Sequence, residues 1–179
     1  MHSSLGGPDR ACLGAVALWL SLAGCAGLRA SEARDGYFQE QLASSPYPQA
    51  CDRLWPDVLR LLAAKGYALA GRDRQIAGEP SASGVDRTLS NATETRPTAD
   101  GGLEVATAWN YGPENPTRYR VTGTPAGPGA CWVTFTRVWQ GVVDPASHST
   151  ARDWQLQLKL LQVVAPEAAA KLEAGAPKP

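Results

Sequence analysis

What this sequence lacks first is charge of one sign: 17 Lys and Arg stand against 17 Asp and Glu in 179 residues. Proteins that grip nucleic-acid phosphates carry a basic excess, so nucleic acid is not an expected partner. Neither end is an acidic or basic tail. Histidine is nearly absent, with only His2 and His148. There is no Cys-x-x-Cys pair, so neither a metal nor a cofactor is expected. A Gly-x-Ser-x-Gly elbow, a phosphate loop and a zincin helix are also missing, and each would have pointed to a known chemistry. Glu79, Glu94, Glu104 and Glu114 are carboxylates with nothing to single one out. The chain therefore reads as non-catalytic, with an envelope hydrolase or glycan-processing enzyme as the alternative.

What is present begins with an apolar stretch. Residues 11–24 (ACLGAVALWLSLAG) hold no charge, behind a polar opening with one cation, Arg10, beside Asp9. Fourteen residues fall short of the ~20 that a membrane span needs, and fit the apolar region of an export signal. The stretch ends in Leu22-Ala23-Gly24-Cys25. That tetrad resembles the lipobox of bacterial lipoproteins at all four positions. The resemblance implies lipidation of the Cys25 thiol, cleavage before it, and a mature chain tethered to the membrane by N-terminal lipid. Two or more acyl chains anchor stably because each buried CH₂ adds ~0.8 kcal/mol. Ala26 rather than Asp follows the cysteine. By the sorting rule of that class, this implies the outer membrane, facing the periplasm. Two other readings stand beside it: an ordinary signal cleaved after Ala26, and an uncleaved anchor.

Residues 1–24 thus read as signal, 25–50 as a tether and 51–179 as one domain. A short helix is expected from Ser31 to Leu42, ended by Ser44-Ser45-Pro46-Tyr47-Pro48. Loss of residues 1–24 leaves three cysteines. With Cys25 lipidated, Cys51 and Cys131 form an even pair in an oxidising compartment, so a disulfide between them is expected. Two buried thiols are the alternative.

The domain opens with a helix over 51–66. Cys51, Leu54, Trp55, Val58, Leu61 and Leu62 share one face of a 3.6-residue period, with Asp52 as cap and Gly66 as stop. Short strands are expected at 67–71 and 75–78, then a long loop or weak hairpin over 80–102. Leu103, Val105, Thr107, Trp109 and Tyr111 alternate as one face of a strand. Strand 117–124 puts Tyr119 and Val121 inward and Arg118 and Arg120 outward. The next strand, 130–142, buries Cys131, Val133 and Phe135, which sends Trp132 to the other face. Residues 144–149, with Asp144, Ser147 and His148, read as a solvated loop. Neighbours along a loop do not assemble a triad. A helix follows over 152–164, with Thr150 to Asp153 resembling a capping box. Pro166 starts another.

The order predicts an α+β fold: an antiparallel sheet of about four strands against a long C-terminal helix and one N-terminal helix. Trp55-Pro56 early in a helix, then Lys65-Gly66-Tyr67 entering a strand, resemble the helix-grip domains of envelope lipoproteins of the BamC type. The likeness spans roughly residues 51–164. This chain departs from that class in having one such domain and no long partner-binding segment, so no partner is carried over. Trp132 is the residue expected to bind, as an exposed aromatic platform for an envelope protein or a glycan. Arg118, Arg120 and Arg137 form a candidate basic cluster.

Overall fold

The computed structural model describes residues 29–67, 69, 95–111, 116–141 and 148–178. Those residues form an α+β domain of four helices and a five-stranded antiparallel meander. The helices are α1 (29–44), α2 (Cys51–Ala64), α3 (Trp154–Val164) and α4 (Pro166–Gly175). The strands are β1 (Arg96–Pro97), β2 (Leu103–Ala106), β3 (Thr117–Pro125), β4 (Cys131–Gln140) and β5 (His148–Arg152), in that order across the sheet. The signal and Cys25, the strand expected at 75–78, most of the loop expected from residue 80, and Asp144 and Ser147 lie outside the described residues.

Apolar periodicity builds α2. Leu54, Val58, Leu59 and Leu62 are fully buried, with Leu59 taking the place expected of Leu61. Asp52 is not the cap. Ala50 holds that position without a side-chain bond, and Asp52 lies in the first turn, where its charge meets the positive end of the helix dipole. Gly66 ends the helix at φ 82°, as its backbone freedom predicts. The Gly66 amide donates to Ala63 and the Tyr67 amide to Leu62, the paired closure that a left-handed residue permits.

Period-2 alternation gives β3 and β4 one core face, carrying Tyr119, Val121, Cys131, Val133 and Phe135. Helices α2 and α3 pack on that face, α3 through Leu156 and Leu160. A disulfide joins Cys51, the first residue of α2, to Cys131, the first of β4. Gly123 lies beneath Trp55: an added Cβ would sit 3.0 Å from the indole.

The reading of residues up to 149 as a solvated loop is corrected at His148. His148–Arg152 pairs with Gln140–Thr136 as an edge strand, so Thr150 is drawn into β5 and Asp153 alone caps α3, accepting from the Leu156 amide at 3.0 Å. Beyond Thr136 strand β5 no longer covers β4, and other groups finish that edge. The Asp153 amide donates to the Phe135 carbonyl, the Gln157 side chain to the Val133 carbonyl at 2.7 Å, and Tyr47 exchanges backbone bonds with Cys131.

That last pairing changes the reading of 25–50. The expected helix is there, but residues 29–50 do not hang free. Phe38 is buried and stacks on Trp154 at 4.9 Å, Leu42 is buried, and Tyr47 belongs to the core. The prolines on either side of Tyr47 stiffen the segment; they do not exclude the tyrosine from the core.

Candidate functional site

The second face of the sheet has no described helix on it. Register arranges its side chains in rows. Thr124 stands beside Trp132; Arg96, Glu104, Thr122 and Thr134 form the next row; Ala106, Arg120 and Thr136 the next. Trp132 is half-buried on this face, as the inward Phe135 required. Among the described residues, three arginines (96, 118 and 120) and one carboxylate, Glu104, give the face a positive balance. Glu104 and Arg120 pair at 3.5 Å with both side chains substantially exposed, so the pair adds little stability. Arg137 does not join these arginines. It aligns with Tyr119, on the opposite face, and lies over Trp139 at 5.2 Å.

Trp109 is the largest departure from the alternation. From Leu103 to Thr107 the register with β3 is constant, the Thr107 amide donating to Tyr119. Asn110 then bridges Thr117, one residue out of step. An extra residue therefore sits between 107 and 110, a bulge, and it re-aims the side chain. Trp109 lies beside Arg118 rather than Thr117 and leaves the Val105 face for the open one. Val105 and Thr107 remain buried as expected, whereas Tyr111 is 72% exposed.

On the open face the Arg118 guanidinium lies 4.6 Å from the Trp109 ring centroid. The His148 ring stacks with the same indole at 5.5 Å and 25°. Strands β3 and β4 separate these two residues in the sheet, so rings this close meet above those strands. Val138, aligned with Arg118, is accordingly buried although it faces away from the core. His148, read from sequence as a loop residue, is the first residue of β5 and one wall of this cluster.

The buried polar groups on the core side serve the fold. The Tyr119 hydroxyl donates to Asp153, whose other oxygen caps α3. Tyr47 donates to the Gln157 carbonyl at 2.8 Å. Burial pushes both phenols above their ordinary pKa, and for Tyr119 the Asp153 carboxylate adds to the shift. A cleft of about 300 Å³ opens between the end of α1, residues 45–48 and helices α3 and α4. Leu42, Pro46, Leu161, Ala168 and Leu172 line it, and no carboxylate, histidine or cysteine does. Among the described residues no cluster of His, Cys, Asp and Glu has metal-binding spacing, and no helix is long and apolar enough to cross a membrane.

No protein-family model, no curated protein and no solved structure matches this chain. Sequence reasoning found Trp132 and the outward Arg118 and Arg120. It missed Trp109 and His148 as partners, because a bulge brings the first to this face and an unpatterned edge strand the second.

Proposed function

We propose that this protein is a bacterial envelope lipoprotein, held by lipid on Cys25 and carrying a non-catalytic binding domain. The anchor reading rests on Leu22-Ala23-Gly24-Cys25 at the end of a short uncharged run. A disulfide between Cys51 and Cys131 suits an exported chain, since such bonds persist in oxidising compartments. The single observation that carries the binding reading is the open sheet face, with Trp132 at one end and the Trp109, Arg118 and His148 cluster at the other. Large aromatics and arginine are the side chains that most often dominate binding energy at protein surfaces.

With Ala26 after the cysteine, the expected address is the periplasmic side of the outer membrane. The test is metabolic labelling with a radioactive fatty acid in a host that processes lipoproteins. Label is expected on the native chain and absent from Cys25→Ser. Equal labelling of both, or of neither, contradicts the anchor.

A further inference from the structure

We propose that the open sheet face binds a linear glycan strand whose sugars carry carboxylates. This deepens the reading of the domain as a non-catalytic binder and rests on it.

Shape comes first. The row of Trp132 and the row of Arg118 are three two-residue steps apart along β4, roughly 20 Å at the rise of a strand. That is the reach of an oligosaccharide, longer than a single sugar. The surface between them is a pleated sheet on which no described helix packs. Strands β3 and β4 extend side by side across it, so a straight polymer finds the same kind of side chain at each step.

Chemistry follows. Thr124 stands beside Trp132, and between the two ends stand Thr122, Thr134 and Thr136. A threonine hydroxyl both donates and accepts, as sugar hydroxyls do, so each such pair can be satisfied in either direction. Trp132 offers an indole to the apolar C–H face of a pyranose, the geometry in which an aromatic ring with a polar rim is most useful. Among the described residues the surface holds no aliphatic patch: Ala106 is small and Val138 is already covered. A protein partner normally buries an apolar centre, and a bilayer takes up aliphatic or aromatic side chains in a group. Among the described residues the aromatic rings of this face stand apart at the two ends with threonines between them, so they form no single apolar centre.

Charge selects the class of glycan. Among the described residues of the face, Arg96, Arg118 and Arg120 outnumber Glu104, while the whole chain is neutral. Arg118 is held over the Trp109 ring, so its guanidinium is placed before any ligand arrives, and less entropy is lost on binding. A guanidinium so placed meets a carboxylate in two parallel hydrogen bonds.

The test uses the full-length chain in detergent, titrated with a hyaluronan oligosaccharide, in which glucuronate alternates with N-acetylglucosamine. A chitin oligosaccharide of equal length supplies the uncharged comparison, and phosphatidylglycerol vesicles an anionic surface without sugar. Saturable binding of hyaluronan is expected, at least tenfold tighter than chitin and weakened by salt. Trp132→Ala should weaken both oligosaccharides tenfold or more, and Trp132→Phe, which keeps an aromatic platform, should weaken them less. Arg118→Gln should bring hyaluronan down to the level of chitin.

No binding of either oligosaccharide, or binding untouched by Trp132→Ala and Arg118→Gln in chains with native circular dichroism, overturns the proposal. So does equal affinity for the charged and uncharged sugars. Vesicle binding by Cys25→Ser that Arg118→Gln abolishes, without sugar binding, makes the partner a lipid headgroup and also overturns it. Shortened products in the mass spectrum of the oligosaccharide would instead refute the non-catalytic reading and leave the glycan site standing.

Discussion

Gln157 shows how one side chain can finish a sheet. It is fully buried, donates to the Val133 carbonyl and accepts from Arg152. Nothing in its sequence context marks it, because a glutamine on the apolar side of a helix looks like a lapse in the pattern. Its work is set by where β5 stops, and that is a tertiary fact. Replacing it with leucine keeps the volume but leaves the Val133 carbonyl without its donor and the Arg152 Nε without its acceptor, although Arg152 still donates to the Leu42 carbonyl. Gln157→Leu should lower stability by about 2–4 kcal/mol, read as a shifted urea midpoint with unchanged slope. A loss under half a kcal/mol, which surface positions typically show, would contradict the edge role.

The buried phenols give a pH dependence at the same scale. Tyr47 and Tyr119 have folded pKa values raised above the unfolded value of about 10. Their contribution is complete below pH 10 and is lost as pH rises above it. Here the unfolded chain releases its phenolic protons while the folded chain retains them. Stability should fall with a slope approaching about 2.7 kcal/mol per pH unit for the two groups together. Tyr47→Phe forfeits the bond to the Gln157 carbonyl but should roughly halve that slope in urea titrations between pH 10 and 11. An unchanged slope would show that Tyr47 is not shifted.

At the scale of elements, legibility followed hydrophobic signal. Helix α2, strands β3 and β4 and helix α3 each bury a regular face, and each lies close to where periodicity places it. Strand β5 (His-Ser-Thr-Ala-Arg) is exposed along nearly its whole length, so it has no apolar alternation to detect. The bulge after Ala106 inverts the face of Trp109, since one inserted residue reverses a period of two. The site was therefore half visible: Trp132 and the outward arginines follow from alternation, whereas Trp109 and His148 depend on a shift in register and a silent strand. Helix α1 was visible as a helix but not as part of the fold. Its docking depends on Phe38 meeting Trp154, more than a hundred residues away in sequence.

That docking is testable. Phe38→Ala removes the stacked ring and about 3–5 kcal/mol of packing at this contact. Such a loss should release α1 before it unfolds the sheet, because residues 29–44 attach at one edge. Limited proteolysis should then cut the variant between residues 29 and 50 while the remainder stays resistant. Equal resistance of variant and native chain would contradict the docked arrangement.

For the whole molecule, the cross-link and the proposed anchor are the two features that bear on where the domain works. The Cys51–Cys131 disulfide closes a sequence separation of 80 residues. Loops of that size restrict the unfolded chain strongly, and losing such a bond typically costs about 2–5 kcal/mol. Reduction, or Cys51→Ala with Cys131→Ala, should lower Tm by roughly 4–20 °C, at about 2–4 °C per kcal/mol for a domain near 150 residues. Two free thiols in the native protein under alkylation would contradict the pairing.

Function depends on the address of this domain as much as on its shape, since an open polar face has meaning only beside what it can reach. The most direct test is intact-mass and fragment-ion analysis of the purified protein's first residue. The account predicts a chain of 155 residues beginning at Cys25, heavier than its sequence by a diacylglycerol on the thiol and with its amine free or acylated. An unmodified amino terminus, or one that begins anywhere other than Cys25, would contradict it.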